Sequence, residues 1–144
     1  MIKAASKIGF ILAVIGLLIL IQKKYVFSTN PVSICIQIFS VVLMIWSRLT
    51  LGFRSFHVAA NPTEGELVTN GPYRLLRHPI YAAVIYFSWA CFISFPFPIT
   101  FLAVFLVAGG LFIRMILEEK SLLTKYPGYA AYRRKAKRLI PFVL

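Results

Sequence analysis

The sequence predicts an all-α integral membrane protein: about four transmembrane helices, a helical hairpin near the C-terminus and a basic amphipathic cytoplasmic tail. Three observations carry this. The chain has 144 residues, of which 60% are apolar, and its mean hydropathy is +0.82, whereas soluble domains have about half their residues apolar. It holds four apolar runs, each near the ~20 residues that cross a bilayer as a helix. Sixteen Lys and Arg face only four acids, Glu64, Glu66, Glu118 and Glu119, for a formal charge of +12. On a soluble protein that balance would suggest nucleic acid, but a chain this apolar has too little polar surface to clothe a water-soluble globule. High hydropathy also excludes disorder. The length fits one domain, 1–144.

The first predicted span covers about 4–22, flanked by Lys3 and Lys7 and then by Lys23 and Lys24. A secretory signal begins similarly, but no A-x-A-like cleavage site follows, so it reads as a retained helix. The second covers 31–47, opened by Pro31, which fits a first helical turn because its missing N–H costs nothing there. A stretch rich in Gly, Pro, Thr and Asn from Asn61 to His78 reads as a loop. The third span covers 79–95 and the fourth 98–117, joined by the breaker Phe95-Pro96-Phe97-Pro98 into an antiparallel hairpin. In the tail, 118–144, Leu122, Tyr126 and Tyr129 recur at helical spacing among basic residues, as in a helix lying on anionic lipid. Pro127-Gly128 should end a first helical piece near Tyr126 and let a second run from about Tyr129 to Arg138. Cys35 and Cys91 lie in apolar runs without CxxC spacing and read as packing residues.

Orientation follows from the excess of cationic residues on the cytoplasmic side. With the N-terminus inside, the outer loops hold only Lys23 and Lys24, and the other fourteen of sixteen bases lie at the cytoplasmic face with all four acids. Both termini are then cytoplasmic, in a cell inner membrane or an endomembrane.

Two constellations carry chemistry. In Gly71-Pro72-Tyr73-Arg74-Leu75-Leu76-Arg77-His78-Pro79-Ile80-Tyr81, Pro79 starts the third helix and places His78 at its cap. The open first-turn N–H groups suit a carboxylate or phosphate, although Arg and His are also common headgroup contacts. In Arg114-Met115-Ile116-Leu117-Glu118-Glu119, Arg114 and Glu118 share a helix face. An ordinary ion pair is the plain alternative. Against it, acids near a helix C-terminus oppose the macrodipole, and charged groups close to lipid mark functional sites. The hairpin brings His78, Tyr81, Arg114 and Glu118 together in a pocket opening to the cytoplasm with lipid at its side. With two histidines, His57 and His78, and no grouped cysteines, no metal site is expected. No hydrolase triad and no phosphate-binding glycine loop is evident.

The run Leu67-Val68-Thr69-Asn70-Gly71-Pro72-Tyr73-Arg74, then Arg77-His78-Pro79-Ile80-Tyr81, an apolar span and Glu118-Glu119 resembles the isoprenylcysteine carboxyl methyltransferase and phospholipid methyltransferase superfamily. Tyr129-Ala130-Ala131-Tyr132-Arg133-Arg134 and Arg138-Leu139-Ile140-Pro141 are similar too, so the likeness covers about Glu66 to Pro141. It implies an S-adenosylmethionine pocket at the cytoplasmic helix ends. Leu67 and Val68 would line it, Tyr73, His78, Pro79, Ile80, Tyr81 and Glu118 would bind the cofactor, and Arg114 would orient the methyl acceptor. The acceptor would be a lipophilic molecule or a membrane lipid, most like an isoprenylcysteine carboxylate. A phosphatidylethanolamine amine is the alternative, with Glu118 or Glu119 as candidate base. Ala83 stands where the family often has Gly, and Pro127-Gly128 where many members have Gly followed by an acid. A sterol-type NADPH-dependent reductase and a non-catalytic lipid-binding protein are competing readings; oligomeric state stays open.

Overall fold

A computed structural model describes residues 2–52 and 67–140. His57, Glu64, Glu66 and Pro141 lie outside the described residues. The elements are α1 (Ile2–Gln22), α2 (Pro31–Leu51), a 3-10 turn (Gly71–Arg74), α3 (Pro79–Ser94), α4 (Pro98–Lys125) and α5 (Tyr129–Lys135), with no strand among the described residues. By length and composition, Ala4–Gln22, Pro31–Leu51 and Pro98–Lys125 can each cross a membrane, and Pro79–Ser94 is a shorter apolar helix.

Three helix starts have a local cause. Pro31, Pro79 and Pro98 all stand in the first turn, where φ is preset and no N–H is lost. Asn30 caps α2 by accepting a hydrogen bond from the Val32 N–H at 2.9 Å. At the opposite end of the hairpin, the Tyr25 ring stacks on Phe95 and Phe97, with centroids 4.8 and 5.5 Å away, and ties the α3–α4 turn to the end of α1.

The fourth helix departs from expectation. It continues to Lys125 instead of ending at 117, because hydropathy reports lipid solubility whereas helix length is set by breakers. Glu118, Glu119 and Lys120 are good helix formers, and the first breaker they meet is Pro127. The tail is accordingly an extension of α4 followed by α5. That second piece stops at Lys135, short of Arg138, since Ala136 turns extended.

Packing runs from α1 along α4, from α4 to α3, and from α3 to α2. α1 and α4 are antiparallel, with Gly9 against Gly110 and Gly16 against Ala103. A Cβ on Gly9 would sit 2.6 Å from the Gly110 carbonyl oxygen, and one on Gly16 would sit 2.5 Å from that of Ala103, so the two backbones touch. Small residues permit such contact in membranes, where dispersion between close surfaces replaces the hydrophobic effect. Gly109, by contrast, has open space beside it. On α2 the buried Ser33, Ser40 and Ser47 form a narrow stripe, and Ser40 and Ser47 bond the carbonyls four residues back. Cys91 is buried as expected, but Cys35 is exposed on the outer face of α2 and is not a packing residue; both are free thiols.

Candidate functional site

The antiparallel helices place the start of α1, the end of α2, the start of α3 and the end of α4 at one end of the bundle. The chain enters this end through Leu67 and Val68, both half-buried outside any helix. Gly71 then turns with φ +55° and lies against α2: a Cβ there would meet Thr50 Oγ1 at 2.7 Å. The 3-10 turn that follows buries Tyr73, and Pro79 is fully buried behind His78 at the α3 cap, with Ile80 half-buried beside it.

Two hydrogen-bonded groups form here. In the first, Arg114 Nε donates to the Tyr81 hydroxyl at 2.8 Å, and that hydroxyl donates to Glu118 Oε2 at 2.7 Å. The expected approach of Tyr81, Arg114 and Glu118 is present, with the phenol as the link between the two charges. The His78 ring stacks on Tyr81, with centroids 5.5 Å apart and planes 4° from parallel. The Arg114 guanidinium lies over the Phe10 ring of α1, 5.5 Å from its centroid. Tyr73 feels Glu118 and, from α2, Arg48. Burial, and then the negative charge of Glu118, push its phenol well above the usual tyrosine range, with Arg48 opposing. It is therefore a neutral hydroxyl at physiological pH.

The second group centres on Glu119, which is 4% exposed. Arg77 Nη1 lies 2.7 Å from its Oε1, His78 Nε2 3.3 Å from the same oxygen, and Arg138 Nη2 3.2 Å from Oε2. Arg77 and His78 belong to the segment before α3, whereas Arg138 lies beyond α5. That last segment runs beside the pre-α3 chain as a short parallel pairing of Leu76 with Lys137. The Lys137 N–H donates to the Leu75 carbonyl at 3.0 Å, the Arg77 N–H to Lys137 at 2.6 Å, and the His78 N–H to Arg138 at 3.2 Å. The Tyr132 hydroxyl donates to the Tyr73 carbonyl at 2.5 Å and the Tyr86 hydroxyl to that of Leu139. Burial, followed by the charge of Glu119, pushes the Tyr129 phenol up to about 12.

Sequence reasoning named both acids but gave Glu119 only a candidate role as base. Both its oxygens are committed to cations, so Glu118 is the acid that stands beside the arginine and the aromatic rings. Arg77 and Arg138 as partners of Glu119, and Phe10 as the cover of Arg114, were missed. The legible signal was scarcity: a buried acid in so basic a chain must find cations, and Arg77 adjoins a residue already singled out.

These residues fit S-adenosylmethionine by the chemistry of their donor set. Stacked aromatic rings and a carboxylate suit a sulfonium cation, and the neutral phenol of Tyr73 suits a polar nucleoside.

The family model for phospholipid methyltransferase matches residues 28–128. A protein-S-isoprenylcysteine O-methyltransferase of Xenopus laevis is 28% identical over 124 residues, 83% of this chain and 43% of that protein. The chain thus spans less than half the length of the curated relative it matches. No solved structure matches it. With RHPxY heading α3, the paired acids in the last third of α4 and most of its length matched, the chain belongs to the phospholipid methyltransferase family.

Proposed function

We propose that the protein is an S-adenosylmethionine-dependent methyltransferase acting on a lipophilic acceptor at the cytoplasmic face of its membrane, most like isoprenylcysteine carboxyl methylation. The observation that carries this reading is the chain of hydrogen bonds from Arg114 through Tyr81 to Glu118 beneath the stacked His78 ring. It sets a cation and an anion side by side, linked by one phenol. Glu118 and the rings of His78, Tyr81 and Tyr73 hold the cofactor, with Leu67, Val68, Pro79 and Ile80 lining the pocket. When bound, S-adenosylmethionine supplies a methyl group on a sulfonium sulfur, open to in-line displacement by an acceptor lone pair. Arg114, held through Nε by Tyr81, orients the acceptor carboxylate. A carboxylate is already ionised, so no base is required, and catalysis rests on alignment and exclusion of water.

The test is a titration of the purified protein in detergent with S-adenosylmethionine, S-adenosylhomocysteine and NADPH. The first two should bind; binding of NADPH alone would overturn the reading. His78→Ala and Glu118→Ala should abolish cofactor binding, while Arg114→Ala should spare it and lose turnover.

The description of the matched family favours a second acceptor, a phospholipid amine. An amine must lose a proton, and Glu118, partly buried and bonded to Tyr81, would be the base. Labelled-methyl transfer into a prenylated cysteine acid, compared with phosphatidylethanolamine, separates the two.

A further inference from the structure

Glu119 is not used by the proposed reaction, yet it is the most heavily engaged acid among the described residues. Its cations come from two stretches of chain about sixty residues apart in sequence, and it stands one residue from Glu118 on α4. Arg77 has a side chain only 8% exposed, so without Glu119 a guanidinium would be buried unpaired. His78 is turned the same way: its Nε2 faces Glu119 while its ring lies flat on Tyr81. The carboxylate thus touches two features at once: the His78–Tyr81 stack, and the pairing of the Lys137–Arg138 segment with Leu75–His78.

We propose that Glu119 is a positioning residue: it clamps Arg138 of the C-terminal segment to Arg77 and His78 before α3, so that this segment becomes a fixed wall of the Tyr73–His78–Tyr81–Glu118 pocket. The backbone pairing alone is two residues wide, too short to persist by itself, and Tyr132 and Tyr86 add one bond each. The ion cluster closes the gap between them. The placement of the wall rests on the geometry alone, whereas its effect on the methyl donor rests on the proposed function.

The experiment compares wild type, Glu119→Gln, Arg138→Gln and the double variant in detergent or nanodiscs. Hydrogen exchange of peptides covering Ala136–Arg138 and Leu75–His78 reads the clamp directly, because the Lys137, Arg77 and His78 amides donate across the pairing. Both single variants should exchange there at least tenfold faster while α1 and the middle of α4 stay protected, and the double variant should be no faster than the stronger single. The donor side should show a tenfold or greater loss of S-adenosylhomocysteine affinity and a raised donor KM, with kcat at saturating donor changed less than threefold. A general loss of structure would instead lower kcat and the melting temperature together. Should Glu119→Gln fail to fold, Arg138→Gln, whose side chain is 31% exposed, carries the same test. Unchanged exchange across the pairing in Arg138→Gln would overturn the clamp. If wild type bound no S-adenosylhomocysteine, the proposed function would fall while the exchange data still decided the clamp.

Discussion

Replacing Tyr81 by Phe removes one oxygen and keeps the ring that stacks on His78. That oxygen accepts from Arg114 Nε at 2.8 Å and donates to Glu118 Oε2 at 2.7 Å. Both partners are charged, and hydrogen bonds to charged groups contribute ~1.5–3 kcal/mol each. The group is only partly buried, so water recovers some of the loss and the lower figure applies. Two such bonds give about 3 kcal/mol, on the order of a hundredfold at ~1.36 kcal/mol per factor of ten. The assay is transfer of labelled methyl from S-adenosylmethionine to a prenylated cysteine acid, with kcat/KM as readout and S-adenosylhomocysteine affinity measured alongside. Because the phenol joins Arg114 to Glu118, the residues proposed to orient the acceptor and to face the cofactor, both quantities should fall. A Phe variant within about threefold of wild type in both would refute the reasoning that this hydroxyl organises the site.

Gly110→Ala drives a Cβ into the Gly9 carbonyl and to 2.8 Å from the Ala13 nitrogen, so α1 and α4 must part. The cost should be about 1–3 kcal/mol, read as a lower unfolding temperature in detergent. Gly109→Ala meets nothing within 4 Å and removes a poor helix former, so it should raise stability by up to ~1 kcal/mol. Tyr132→Phe removes the donor to the Tyr73 carbonyl and should lower stability by about 1 kcal/mol, with faster amide exchange confined to the α5 region. Tyr129 has a folded-state pKa raised from 10.0 to about 12, so its contribution is complete below pH 10 and is lost as pH rises through 12. Tyrosinate absorbance should show this phenol ionising late, and Tyr129→Phe should flatten the stability loss in that window.

The spans were legible because apolar length and proline position are local properties: Pro31, Pro79 and Pro98 open the helices they were expected to open. The meeting of Tyr81, Arg114 and Glu118 was legible from the hairpin, since a turn of three residues leaves α3 and α4 no choice but to run side by side. The partner of α1 was not. Of the adjacent Gly109 and Gly110, only Gly110 makes a close helix contact, and which of two adjacent glycines faces a neighbour depends on the rotation of the whole helix. The clamp on Glu119 was hidden for a different reason. It joins residues far apart in sequence through an isolated backbone pairing, and pairing that short leaves no periodic trace.

The contact of Phe10 with Arg114 bears on how α4 carries its arginine. A charged side chain on a lone membrane helix carries an insertion cost, greatest at the bilayer centre, and α4 carries Arg114 followed closely by two acids. α1 precedes α4 in the chain and presents a complementary glycine face with an aromatic ring at the height of that arginine. α4 therefore follows its partner in the chain, and α1 supplies a shield for Arg114 that α4 does not carry itself.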